Sequence, residues 1–210
     1  MKLKRHHWIA VLLMLAFAAT RWPGLMPPNF SAAYALMFCA GVYFPGALAW
    51  WLPLAAMLAT DLALGFHYRA LYLENPAAYT HPMEIFSPWQ LISYALYGGL
   101  IWLGQRLTPK SSFATLLGGG VLGAILFYLI TNTFSWLGNP AYPKTLAGWL
   151  QALSGGVPGY PPTWEFFRNT LASGGLFTAL FVGAMKLGEV AEEQPEESES
   201  GDGQPEETKA

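Results

Sequence analysis

Long apolar stretches alternate with short polar connections throughout this chain. From Phe30 to Phe66 the sequence is almost unbroken in apolar residues and holds one charge, Asp61. The run is 37 residues long, whereas a bilayer core takes roughly 20 helical residues to cross. Pro45-Gly46 near its middle marks a tight turn, so the run predicts a helical hairpin. The same pattern along the chain predicts six membrane segments, at 8–20, 30–44, 47–66, 89–104, 113–132 and 170–187. Each is expected to be a helix, because a segment alone in lipid must satisfy its backbone hydrogen bonds internally. A short amphipathic helix at the membrane surface is expected near residues 144–153, with Trp149, Leu150 and Leu153 on its apolar side.

Composition sharpens this picture. Charged residues make up 11% of the 210 residues and hydrophobic ones 53%. Nine of the thirteen acids lie between Glu189 and Glu207. The chain therefore divides into a transmembrane domain, 1–188, and an acidic tail, 189–210, which is expected to be disordered and cytoplasmic because it has too little apolar surface to fold. Lys2, Lys4, Arg5, Arg106, Lys110 and Lys186 all fall on one face of a six-span arrangement. The excess of positive charge there predicts a cytoplasmic location for both termini. The first segment is short, and "KLKRHH" with Ala16-Phe17-Ala18 also fits a signal peptide; the six-span reading keeps it.

Connections on the opposite face, at 21–29, 67–88 and 133–169, are the long ones and carry much of the polar and aromatic variety. Loops of that length usually serve a function. Asp61 is the one acid inside a membrane segment, which makes it a site candidate and leaves no second carboxylate for an intramembrane aspartyl dyad. Arg69, two helical turns later, and Arg21 and Arg168 on the same side are its candidate cations. Asn29, Asn132 and Asn169 fall at segment boundaries beside aromatics that include Trp136 and Trp164. Amides over aromatic walls suit a flat organic ligand with polar edges. Asparagines at helix ends also act as caps, and Trp at these depths forms the interfacial belt. Small-residue stripes at Ala55/Ala59/Ala63, Gly119/Gly123 and Gly175/Ala179/Gly183 are expected to pack helices inside the bundle. The single cysteine, Cys39, reads as a small core residue.

Several chemistries have no motif here. The chain has no Walker A loop, no G-x-S-x-G elbow and no H-E-x-x-H helix. His67 and His81 could pair with Asp61 or Glu84 around zinc, but no spacing fixes such a site and no metal, cofactor or nucleic-acid partner is assigned.

The stretches "RWPGLMPPNFSAAYALMFCAGVYF" (21–44), "PLAAMLATDLALGFH" (53–67), "ITNTFSW" (130–136), "YPKTLAGW" (142–149) and "EFFRNTL" (165–171) resemble an uncharacterised bacterial family of membrane proteins. That family is similar in turn to the substrate-binding S components of energy-coupling factor vitamin transporters. The resemblance implies an all-α bundle of six helices in the bacterial inner membrane, with a ligand pocket built from outer-face connections. It marks Asn29, Asp61, His67, Asn132, Trp136, Arg168 and Asn169 as motif positions. It implies three partners: a small nutrient, a transmembrane coupling subunit and ABC-type ATPases. S components dock through an Ala-x-x-x-Ala pattern on their first helix, and segment one departs from it, with Ala16 and Thr20 at that spacing. The sequence thus predicts a capture protein for a small organic nutrient, with Asn29, Asp61, His67, Arg69, Asn132, Trp136, Trp164, Arg168 and Asn169 around the ligand. The alternatives are a membrane enzyme built on Asp61, His67 and His81, or a non-catalytic assembly protein.

Overall fold

The computed structural model describes residues 5–76 and 88–200. Among them the chain is all helical, with seven helices: α1 (Arg5–Arg21), α2 (Ala33–Tyr43), α3 (Leu48–Glu74), α4 (Pro88–Gly104), α5 (Phe113–Gly138), α6 (Leu146–Leu153) and α7 (Thr163–Ser200). Three of these, α3, α5 and the Thr163–Gly188 part of α7, are long and apolar enough to cross a membrane. α6 forms where an amphipathic surface helix is expected. Thr145 caps it by accepting a bond from the Gly148 N–H at 3.2 Å.

α2 is the centre of the bundle. It has no polar face, and a helix apolar all round belongs in an interior. Every residue from Ala33 to Val42 is buried, including Cys39, as the sequence suggests. α3, α4, α5 and α7 surround it, and α1 lies against α7, α3 and α2. Phe17 anchors α1, being fully buried in the same core. At 11 residues α2 is only about 16 Å long, roughly half of a hydrocarbon core.

Glycine sets the closest approach. A Cβ on Gly41 would collide with the Ile101 carbonyl oxygen, and one on Gly104 with the Phe38 carbonyl oxygen. The α2 and α4 backbones therefore touch. α5 and α7 approach in the same way, Gly120 against the Thr178 side chain and Gly174 against Ala124. Of the predicted stripes, that of α5 packs inside the bundle and that of α3 does not. Gly119 and Gly123 do face inward, toward Phe38 and Leu100. Ala55, Ala59 and Ala63 are exposed, because α3 turns its Pro53, Met57 and Asp61 side to the bundle instead.

Three helices continue past their expected ends. α3 runs to Glu74 and α5 to Gly138, and α7 begins at Thr163. In α5 the polar residues continue the helix rather than ending it. Thr131 Oγ1 donates to the Phe127 carbonyl (2.8 Å), Asn132 Nδ2 to Tyr128 (2.9 Å) and Thr133 Oγ1 to Leu129 (2.7 Å). Asn132 and Asn169 are thus interior helix residues and not caps. His67 and Arg69 likewise stand on α3 rather than in a connection. At its C-terminal end α7 runs on as helix past Gly188 to Ser200.

A split in sign tests the glycine contacts. Glycine inside a helix is ordinarily about 1 kcal/mol worse than alanine. Gly118→Ala, where a Cβ meets nothing, should hold or raise the melting temperature in detergent. Gly104→Ala should lower it, with an overpacking cost of about 1–3 kcal/mol. Equal responses would mean that α2 and α4 are not in backbone contact.

Candidate functional site

The end of the bundle where α1, α3 and α5 finish and α2, α4 and α7 begin carries the polar chemistry. Asp61 faces inward from α3 and is 9% exposed. Its Oδ1 pairs with Arg21 Nη2 at the end of α1. Its Oδ2 accepts from the Tyr94 hydroxyl of α4 at 2.8 Å. Both carboxylate oxygens are therefore engaged, and three helices are tied at one point. Arg21 also directs Nη1 at the Met57 sulfur and lies over the Phe17 ring, 5.7 Å from its centroid. A buried charge is tolerated only when paired and hydrogen-bonded, and this arrangement supplies both conditions.

The partner differs from two of the candidate cations. Arg69 and Arg168 are both exposed. Arg69 stands about 12 Å further along the same helix as Asp61, out of reach, and Arg168 lies over the Trp164 ring at 5.4 Å. Arg21 takes the role.

Beside this triad is a hollow of about 460 Å³ lined by the α1–α2 connection together with Arg21, Tyr34, Leu64, Tyr68 and Tyr97. Its rim is a turn in which the Phe30 N–H bonds to the Pro27 carbonyl at 3.0 Å. Asn29 holds a left-handed backbone there (φ 61°), a conformation that asparagine tolerates better than most residues. Two bonds pin the connection. Asn169 Nδ2 of α7 donates to the Pro28 carbonyl at 2.9 Å. Thr20 Oγ1 accepts from the Ala32 N–H at 3.1 Å and donates to Phe17 at 2.9 Å. Asn169 thus serves the site by holding its rim. His67 packs its ring on Trp22 (5.1 Å) and Tyr68 (5.5 Å), so it backs two lining residues without lining the hollow itself. The Tyr97 ring stacks on Phe127 at 5.1 Å and Tyr34 meets Phe127 edge-on at 5.0 Å, so both aromatic walls are braced from behind.

The other predicted residues stand elsewhere at this end. Asn132 lines a second hollow of about 300 Å³ with Ser135, Asn139, Tyr142, Tyr160 and Phe166. Trp136 is engaged locally: its Nε1 donates to the Pro143 carbonyl at 2.8 Å, and Lys144 Nζ caps the Trp136 and Asn139 carbonyls. Trp164 is half exposed beside Arg168. Of the predicted residues, Asn29 lines the first hollow and Asn132 the second; Asp61, His67 and Asn169 stand one contact behind the first, through Arg21, Trp22 with Tyr68, and Pro28. Arg21, Trp22, Tyr34, Tyr68 and Tyr97 also line the first, with Tyr94 behind them on Asp61, and none of these six is among the ligand-binding residues expected from the sequence. Among the described residues no cluster of three His, Cys, Asp or Glu stands ready to hold a metal; His81 and Glu84 lie outside them.

Among the described residues, fold and site together define an all-α apolar bundle, three of its helices able to cross a membrane by length and composition, with polar-lined hollows at one end. The chain belongs to the DUF6580 family, a family of unknown function, whose profile matches residues 1–196. No curated protein and no solved structure matches it.

The ion pair makes a clear double-mutant prediction. Asp61→Leu leaves the Arg21 guanidinium buried without its carboxylate and should cost about 3–5 kcal/mol, read as a large drop in melting temperature. Arg21→Met combined with Asp61→Leu removes both charges and should recover most of that loss. Additive losses would show that the two side chains do not interact.

Proposed function

We propose that this chain is a six-pass inner-membrane protein, both termini cytoplasmic, that captures a small organic nutrient at its outer face for uptake. One observation carries this reading: the 460 Å³ hollow beside Arg21, lined by tyrosines and Trp22, at the polar end of an apolar bundle. That volume lies within the ~300–1,000 Å³ of ordinary small-molecule sites. Its walls combine aromatic faces with hydroxyl, amide and guanidinium groups, which is the mixture that orients a polar-edged ligand. The resemblance to S components points the same way. α1, α2 and α4 complete the six spans in this reading, with α2 shielded from lipid by its neighbours, so that its short length is tolerated.

The sequence has no Walker A loop, so in this reading the energy for concentrative uptake comes from a coupling subunit and ATPases. Ligand alone shifts a conformational equilibrium only by its differential affinity for the two states.

A second reading, a non-catalytic assembly protein, is favoured by one feature: the exposed Ala55, Ala59 and Ala63 on α3, whose spacing lets another helix approach closely. The enzyme reading draws no such support, because Asp61 has both oxygens committed and His67 is packed between rings.

Native mass spectrometry of the detergent-solubilised protein separates these readings. The capture reading expects a co-purifying small molecule at one per chain, released on unfolding. A ligand-free chain held stoichiometrically to a membrane protein, with no ATPase in the complex, would favour assembly and contradict capture.

A further inference from the structure

Resting on the capture reading, we infer that the Arg21 hollow takes a small aromatic or cyclic carboxylic acid, with Arg21 as the group that binds its carboxylate. A guanidinium carries five N–H groups. Arg21 spends one on Asp61 and one on the Met57 thioether, a weak acceptor. Its Nε is buried and has no partner among the described residues, and one N–H on each terminal nitrogen remains to be placed. Buried polar groups left so poorly satisfied call for an explanation. Here the side chain is 19% exposed and lines the hollow, so an acceptor placed in the hollow meets the spare terminal N–H groups.

Charge selects the class of acceptor. Among the described lining residues Arg21 is the one charged group, and no acid lines the hollow to repel an anion. Hydrogen bonds from a cation to a carboxylate are roughly twice as strong as those between neutral groups. The remaining walls, Trp22, Tyr34, Tyr68 and Tyr97, present ring faces and hydroxyls to the body of such a molecule. Asp61 and Tyr94 act as positioning residues. They hold the guanidinium at the rim, and Asp61 partly neutralises it, so the bound acid is held reversibly rather than trapped.

The test is calorimetric titration of the full-length solubilised protein with matched pairs: benzoate and benzamide, 2-naphthoate and 2-naphthamide, indole-3-acetate and indole-3-acetamide. The expected result is that at least one acid binds and its amide binds about tenfold or more weakly, the worth of a charge-assisted bond. Arg21→Gln with Asp61→Asn, which removes both charges together and leaves neither unpaired, should abolish the preference for the acid. Asp61→Asn alone keeps an acceptor for Tyr94 and Arg21 while freeing the positive charge; it should tighten the acid and leave the amide unchanged, the opposite of what a purely structural carboxylate would give. Equal binding of acid and amide, or acid binding that survives loss of Arg21, would overturn the inference while leaving capture standing. Binding of none of the three acids would likewise overturn the inference, whereas capture itself falls only if native mass spectrometry finds no co-purifying small molecule.

Discussion

A chain with so few charges in its body must accommodate Asp61, the acid buried among its apolar helices, and the Arg21–Asp61 pair is how it does so. The carboxylate is too costly to leave alone in a low-dielectric interior. Its solution draws the end of α1 and the start of α4 onto α3. The hollow opens beside that polar knot and is lined by Arg21, so a group that ties this end of the bundle together also faces the site.

The opposite end is built on different physics. There the backbones of α2 and α4 touch through Gly41 and Gly104, and Lys186 Nζ closes the end with a bond to the Pro109 carbonyl at 3.1 Å. Close packing in the lower half and a polar tie with open space in the upper half make the bundle asymmetric. Rigidity in the first supports preorganisation in the second, because the walls of the hollow rest on core aromatics: Tyr97 and Tyr34 are both braced by Phe127. A preformed site loses less free energy to ordering on binding.

Much of the fold is legible in the sequence. The apolar run 30–66 with its Pro45-Gly46 turn gives α2 and α3, and the amphipathic pattern near Trp149 gives α6. Helix ends are less legible, because Thr131, Asn132 and Thr133 look like terminators yet satisfy themselves on their own helix. The face each helix turns inward depends on its neighbours. Alanine spacing alone does not show that Met57 and Asp61, rather than Ala55 and Ala59, point at the core. At the site, Asp61 is visible as a lone carboxylate in an apolar segment, and the choice of Arg21 over Arg168 is set by how α1 lies on α3, a contact 40 residues apart in sequence. Helical rise alone argues against Arg69. Tyr94 and Tyr97 carry the one missed signal that was present, since residues three apart share a helix face.

In the proposed function the Arg21 hollow opens to the outer aqueous phase. Cysteine labelling with a membrane-impermeant thiol reagent on intact cells tests this most directly, using a Cys39→Ala background. Asn29→Cys at the rim should label without permeabilisation, and Ser111→Cys between α4 and α5 only after it. Labelling of Ser111→Cys from outside, with Asn29→Cys protected until the membrane is opened, would contradict the account.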